Sequence, residues 1–211
     1  AMVSSLIKRA VEAGRKQLFL YTRTHEADRF EAMGFSLIAS TGNQGVALLE
    51  WGMEGIGPWL ETLKARTAGK PGNAAAVVVN CNPFTLGHRK LIEYAAARAS
   101  WLYVLVVEED KSLFPFKIRI DLVRRGTSDL TNLTVLEGGP YVISSATFPT
   151  YFIRPYEGKD CRAEKAVELH AALDLALFRR HIAPTLGVSD RFVGTEPYCA
   201  TTSVYNKMMK E

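Results

Sequence analysis

The run from Val77 to Arg98, VVVNCNPFTLGHRKLIEYAAAR, constrains the fold more than any other part of the chain. Val77, Val78 and Val79 are consecutive apolar residues without alternation, the pattern of a strand buried on both faces. Pro83 and Gly87 mark a tight turn, and His88 opens a helix that continues through Arg89 to Arg98. A strand of this kind delivers the chain to the rim of a parallel sheet, where open α/β sheets bind ligands. The helix N-terminus offers unpaired N–H groups and the positive end of a dipole, a ready site for an anion. Gly87 lets the backbone approach that anion with no side chain between them. Thr85 and His88 add side-chain donors at the same place. The combination suits the phosphates of a nucleotide.

The rest of the chain extends the same pattern. Strands are expected over Ala74 to Asn80, Trp101 to Val107, Leu133 to Leu136 and Arg191 to Gly194. Helices are expected at Lys117 to Arg125, Ala163 to Ile182 and Ser203 to Lys210. Strands alternating with helices predict an α/β protein with a parallel sheet covered on both faces. Residues 66–73 are small, polar and rich in Gly and Pro, which marks a linker. Ahead of it lie a helix at Ser5 to Ala13, a short helix at Glu26 to Met33 and strands at 17–22, 35–40 and 46–50. The last two strands flank a Thr41 to Gly45 turn, as a hairpin would. So few strands make too thin a core to stand alone, so residues 1–65 are expected to lean on the domain beyond the linker or on a partner chain.

Charge and cysteine usage exclude several classes. The net charge of +4 fits an anionic substrate, but no Lys/Arg run forms a stripe for nucleic acid. No apolar run approaches a membrane span. The three cysteines are scattered, without C-x-x-C spacing, which points away from disulfides and zinc and towards a reducing cytoplasm. His25, His170 and His181 form no metal cluster, and His170 and His181 are read as structural or surface residues.

Thr85-Leu86-Gly87-His88 matches the (H/T)-x-G-H signature of the nucleotidylyltransferase superfamily. The wider run from Asn82 to His88 resembles the [citrate (pro-3S)-lyase] ligase family. Four later segments are similar to that family in the same order: Glu108 to Phe116 with Arg119, Tyr141 to Phe152, Arg191 to Cys199, and Thr202 to Asn206. The resemblance implies a Rossmann-like nucleotidylyltransferase domain over 74–211. It also implies that residues 1–65 are the later part of a GNAT-like α+β acetyltransferase domain. The GNAT pyrophosphate loop would lie upstream of residue 1, and the family continues past Asn206, so the chain is expected to be a fragment, a short family member or part of a longer protein.

The implied activity is an ATP-dependent acid–thiol ligase. Acetate attacks the α-phosphorus of ATP, and the acetyl group passes to the thiol of the prosthetic group on the citrate lyase acyl-carrier subunit. ATP with Mg²⁺ is the implied co-substrate. In this frame His88, Thr85 and Lys111 carry the chemistry, by donating to phosphate oxygens as charge develops. Asn82, Pro83, Phe84 and Gly87 shape the phosphate turn. Gly194 and Glu196 approach adenine or ribose, and Thr202 and Ser203 cap the last helix and hold the outer phosphates. For Lys111 a solvated surface position stands as an equal reading, and for Gly194 to Glu196 a plain strand-ending turn remains open. Ser144, Ser145 and Thr147 line an acceptor pocket or form a polar loop. Arg119 is read as a structural ion-pair partner, and the charge state of His88 is left open. Two alternatives share the phosphate site: an adenylyltransferase acting on a phosphate ester, and a nucleotide-binding fragment without turnover.

Overall fold

The computed structural model describes residues 2–43, 45–109, 113–145, 147, 161–195 and 200–209, with backbone alone at 161–164 and 200–202. The centre of the molecule is a four-stranded sheet in the order β6-β5-β4-β7, formed by β4 (Ala74–Val79), β5 (Leu102–Val106), β6 (Leu133–Glu137) and β7 (Val188–Phe192). All its neighbouring strands are parallel. Helix α4 (Leu86–Ala96) links β4 to β5, and α5 (Phe116–Gly126) links β5 to β6. The chain returns to β7 through α6 (Cys161–Leu177), a π-helical turn at Phe178–Ile182 and the short α7 (Ala183–Leu186), and it ends in α8 (Ala200–Met208).

The uninterrupted apolar strands are explained by two packed faces. Ala75, Val77 and Val79 of β4 pack with Leu102, Val104 and Val106 of β5 beneath Ile92, Ala95, Ile120 and Val123 of α4 and α5. Ala74 and Ala76 point the other way, with Tyr103 and Leu105, against Ala171, Leu173 and Leu177 of α6. Successive side chains on a strand alternate sides, so a strand buried twice needs apolar residues at every position.

The second face is only partly covered by helices. A three-stranded antiparallel sheet in the order β1-β3-β2 completes it, formed by β1 (Gln17–Arg23), β2 (Ser36–Ser40) and β3 (Val46–Gly52). Its Ile38, Ala39 and Leu48 belong to the same core cluster as Ala76 and Leu173. Helices α1 (Met2–Glu12) and α2 (Ala27–Glu31) cover its other side, around a small cluster of Ala27, Phe35, Ala47 and Leu49. Helix α3 (Ile56–Thr67) runs two residues into the segment read as linker.

Polar contacts tie the two sheets together. Tyr141 Oη donates to Glu50 Oε2 at 2.6 Å, Gln17 Nε2 donates to the same oxygen at 2.9 Å, and the Ile56 N–H donates to Glu50 Oε1 at 2.7 Å. His181 Nε2 lies 2.8 Å from the Ile38 carbonyl, and Tyr21 Oη donates to the Thr147 carbonyl at 2.9 Å. His170 meets the Tyr21 ring edge-on. The structural reading of His170 and His181 therefore holds, and both act at the junction with the antiparallel sheet.

Candidate active site at the carboxyl edge of the parallel sheet

Strand order sets a switch point beside β4. From β4 the chain moves outward to β5 and β6 on one side, then returns to β7 on the other. That reversal is the switch point at which open α/β sheets leave a gap at the strands' carboxyl ends. Val77 pairs with Phe192, so the turn after β4 and Gly194 after β7 leave the same end of adjacent strands. Gly194 packs beside Leu91 of α4, and its carbonyl accepts from Asn206 Nδ2 of α8 at 2.7 Å.

The turn itself is tightly specified. Cys81 is fully buried with φ +52°, and the Asn82–Pro83 peptide is cis. Asn82 Oδ1 accepts the Phe114 N–H at 3.0 Å, which ties the turn to the loop after β5. Asn82 thus has an internal structural duty. Phe84 stacks on the His88 ring and lies against Gly126 at the end of α5, where a Cβ would collide with the Phe84 ring. Pro83 is exposed.

Thr85, not His88, begins the helix. Thr85 is the N-cap in extended conformation, Leu86 is the first helical residue, and His88 is the third. The expectation that His88 opens the helix is corrected by two residues. Thr85 and His88 form a capping box. The Thr85 N–H donates to His88 Nδ1 at 3.1 Å, with Thr85 Oγ1 2.8 Å from the same nitrogen. A backbone N–H can only donate, so Nδ1 serves as the acceptor in the contact with Thr85 N–H. Gly87 has a different kind of freedom. A Cβ there would meet only Thr85 Oγ1, at an ordinary 3.6 Å, so the fold does not demand glycine at this exposed position.

Arg119 is structural, as expected, and its described contacts are to backbone and an amide. It is fully buried in α5. Its guanidinium donates to the carbonyls of Asn80 at 2.8 Å, Val107 at 2.7 Å, Glu109 at 3.0 Å and Phe114 at 2.9 Å, and to Asn80 Oδ1 at 2.9 Å. These contacts bind the carboxyl ends of β4 and β5 and the adjoining loop into one floor beneath the turn. Its only advance signal is a lone arginine in the middle of an apolar helical stripe, Ile118 to Val123.

Burial pushes the Cys81 thiol up to about 12, against the opposing charge of Arg119. The thiol therefore stays protonated at neutral pH and is a poor nucleophile. Arg89 anchors α4 from outside, with a forked pair to Asp129 at 2.6 Å for each arm, a further bond to the Gly126 carbonyl and one to Glu93 at 2.8 Å.

The remaining predicted residues divide. Lys111 and Glu196 lie outside the described residues. Thr202 and Ser203 do not cap α8. The helix begins at Ala200, so they occupy its third and fourth positions, and Ser203 is exposed. Ser144, Ser145 and Thr147 form an ordered polar loop. Ser145 donates through N–H and Oγ to Glu109 Oε2 at 2.5 and 2.6 Å. Thr147 Oγ1 donates to the buried Asp174 at 3.3 Å, which also accepts the Ile143 N–H at 3.0 Å and Tyr205 Oη at 2.6 Å. Burial pushes the Asp174 carboxyl up, against the pull of Arg191 and these donors. Among the described residues no group of three or more His, Cys, Asp and Glu side chains gathers as a metal site. No helix among them is long and apolar enough to cross a membrane.

Comparison with known proteins agrees with this architecture. Residues 74–211 match the family model of the citrate lyase ligase C-terminal domain. The [citrate [pro-3S]-lyase] ligase of Escherichia coli (strain K12) is 42% identical over 212 residues, covering 99% of this chain and 57% of that protein. The ligase of the same name from Klebsiella pneumoniae is 40% identical, with 99% and 58% covered. That of Haemophilus influenzae is 38% identical, with 99% and 59% covered. The chain thus spans under three-fifths of the length of these curated relatives. On the match of its parallel-sheet domain and of nearly its whole length, the chain belongs to the citrate lyase ligase family.

Proposed function

We propose that this chain carries the nucleotide site of an ATP-dependent acid–thiol ligase. One acetate oxygen attacks the α-phosphorus of ATP, the bond to the bridging oxygen breaks, and pyrophosphate leaves. The thiol of the carrier's prosthetic group then loses its proton and attacks the acetyl carbon, and AMP leaves. The product is the acetyl thioester on the acyl-carrier subunit of citrate lyase. The relatives' printed names support this reading over the phosphate-ester alternative.

The observation that carries it is the capped N-terminus of α4 at the carboxyl edge of the sheet, beside the switch point. Such chemistry needs positioning and charge stabilisation more than a protein nucleophile. The first-turn N–H groups of α4 would receive phosphate oxygens, and Gly87 keeps that approach open. His88 would donate from Nε2 to a phosphate oxygen, since Nδ1 is engaged by the Thr85 N–H. Gly194 would face the nucleoside, and Thr202 and Ser203 would offer the first turn of α8 to the outer phosphates. Lys111 and Glu196 keep the roles that the family resemblance implies. A Mg²⁺ ion would be carried on the triphosphate oxygens.

We further propose that residues 1–65 are a GNAT-like unit, joined by 66–73 to the nucleotide domain at 74–211. The antiparallel β1-β3-β2 sheet with α1 and α2 supports this. The test of the activity is ATP–pyrophosphate exchange with and without acetate. Acetate-dependent exchange is expected. Exchange that instead requires a phosphate ester would favour the adenylyltransferase. ATP binding without any exchange would indicate a nucleotide-binding unit alone.

A further inference from the structure

The loop after β6 carries the one β-branched residue at positive φ among the described residues. Ile143 sits at φ +44°, a conformation that such a residue keeps only when its surroundings impose it. Its side chain is buried in the core shared by the two sheets, and its N–H donates to Asp174 Oδ1 of α6 at 3.0 Å. Ser144 Oγ donates to the Pro140 carbonyl at 2.6 Å, and the Ser144 N–H donates to Thr147 Oγ1 at 3.1 Å. Tyr21 Oη of β1 holds the Thr147 carbonyl from the other sheet. Strain that the neighbourhood over-determines gathers at functional sites, where it fixes a backbone before its ligand arrives.

Glu109 holds the same loop from the loop after β5. Its Oε2 accepts both the N–H and the Oγ of Ser145, at 2.5 and 2.6 Å. Hydrogen bonds to an ionised oxygen are short and strong, and two of them fix direction as well as distance. The Glu109 carbonyl accepts from Arg119 at 3.0 Å, and Arg119 also binds the Asn80 and Phe114 carbonyls. The Phe114 N–H in turn donates to Asn82 of the phosphate turn. One run of bonds thus carries the position of the phosphate turn, through the loop after β5, to Ser145. The three loops involved leave the carboxyl ends of β4, β5 and β6, which are neighbours in the sheet.

Strand order then divides this edge. The nucleotide as proposed above spans from α4, after β4, to Gly194, after β7. Strands β5 and β6 lie on the other side of β4, so their loops border the space left for the acetyl group and the thiol. We propose that Glu109 is a positioning residue for acyl transfer: its grip on Ser145 sets the loop after β6 as the wall along which the thiol reaches the acetyl carbon. The proposal rests on the function proposed above and adds the side from which the acceptor enters. In the step concerned the C–S bond forms, the C–O bond to AMP breaks, and the thiol proton passes to water. Glu109 touches none of these atoms and acts through Ser145.

The experiment supplies acetyl-adenylate directly and follows acetyl transfer to the thiol of the purified acyl-carrier subunit. Acetate-dependent ATP–pyrophosphate exchange is measured in parallel. Glu109→Ala removes the grip but leaves the Arg119 bond, which goes to the main chain. Transfer should fall by about tenfold to a hundredfold, the scale on which a small misplacement of reacting groups acts, with a raised KM for the carrier. Exchange should fall far less. Glu109→Gln keeps an oxygen able to accept both Ser145 donors and should recover most of the transfer. Ser145→Ala loses one of the two bonds and should show a smaller loss of the same kind; it carries the test if Glu109→Ala folds poorly. Transfer at the parent's rate in both alanine variants, an equal fall in transfer and exchange, a Gln variant as poor as Ala, or no transfer by the parent chain overturns the proposal. If the parent transfers acetyl but shows no exchange, the adenylation reading fails while the transfer results still decide this one.

Discussion

The two sheets of this molecule use the same kinds of residue and are stable for different reasons. The parallel sheet owns its core. Each of β4 and β5 packs on both faces, and one face is closed entirely by helices that the same βαβ units supply. The antiparallel sheet has only Ala27, Phe35, Ala47 and Leu49 as a buried cluster of its own. Its other side is completed by sharing the core of its neighbour, and a buried Glu50 is satisfied by donors from both units. The lesson is that the smaller sheet folds as a layer of the larger, and that the loop carrying Tyr141 and Thr147 serves both.

The sharpest way to break the parallel unit is to remove its pin. Arg119→Met leaves four carbonyls and an amide oxygen without their shared donor. Each such buried group costs about 1–3 kcal/mol when unsatisfied, so a loss of about 3 kcal/mol or more is expected. Chemical denaturation should show it, together with loss of nucleotide affinity. A variant of parental stability would remove Arg119 from the account.

His88→Ala tests the site without breaking the sheet. Loss of one transition-state donor lowers exchange by about a hundred- to a thousandfold. The capping box is worth about 1 kcal/mol, so melting should shift little. Near-normal exchange would contradict the assigned role.

Tyr141→Phe sharpens the contrast between sheets. It removes the 2.6 Å bond to Glu50 and leaves a buried carboxylate under-satisfied, at about 1–3 kcal/mol. Hydrogen exchange should accelerate in β1–β3 and stay slow in β4 and β5. Equal acceleration in both sheets would mean that they unfold as one unit with no hierarchy.

The smallest effect concerns Asp129. Its hydrogen bonds to Arg89 hold the carboxyl down at about 2. A depressed carboxyl contributes above the unfolded value of about 4 and loses that contribution as pH falls towards 2. The pair is exposed, so the contribution is small. Asp129→Asn should flatten the acid limb of stability in that window and leave neutral pH nearly unchanged.

The parallel sheet was readable because continuous apolar runs between helices have one economical solution. The phosphate turn was readable because strand, turn and helix adjoin one another in sequence. The partners of Arg119, Glu50 and Tyr141 were not, because they lie up to 91 positions apart and hydrogen bonds to backbone leave no residue signature. The helix starts at Thr85 and Ala200 were each displaced from the residues expected, since Thr and Ser serve equally as caps and as first-turn residues.

A crystal structure of the chain with a non-hydrolysable ATP analogue tests the central claim most directly. The account predicts the phosphates within about 3 Å of the N–H groups opening α4, with His88 Nε2 donating and the nucleoside towards Gly194. A nucleotide seated instead in the 910 Å³ cleft lined by Arg179, Arg180 and Arg191 would contradict it.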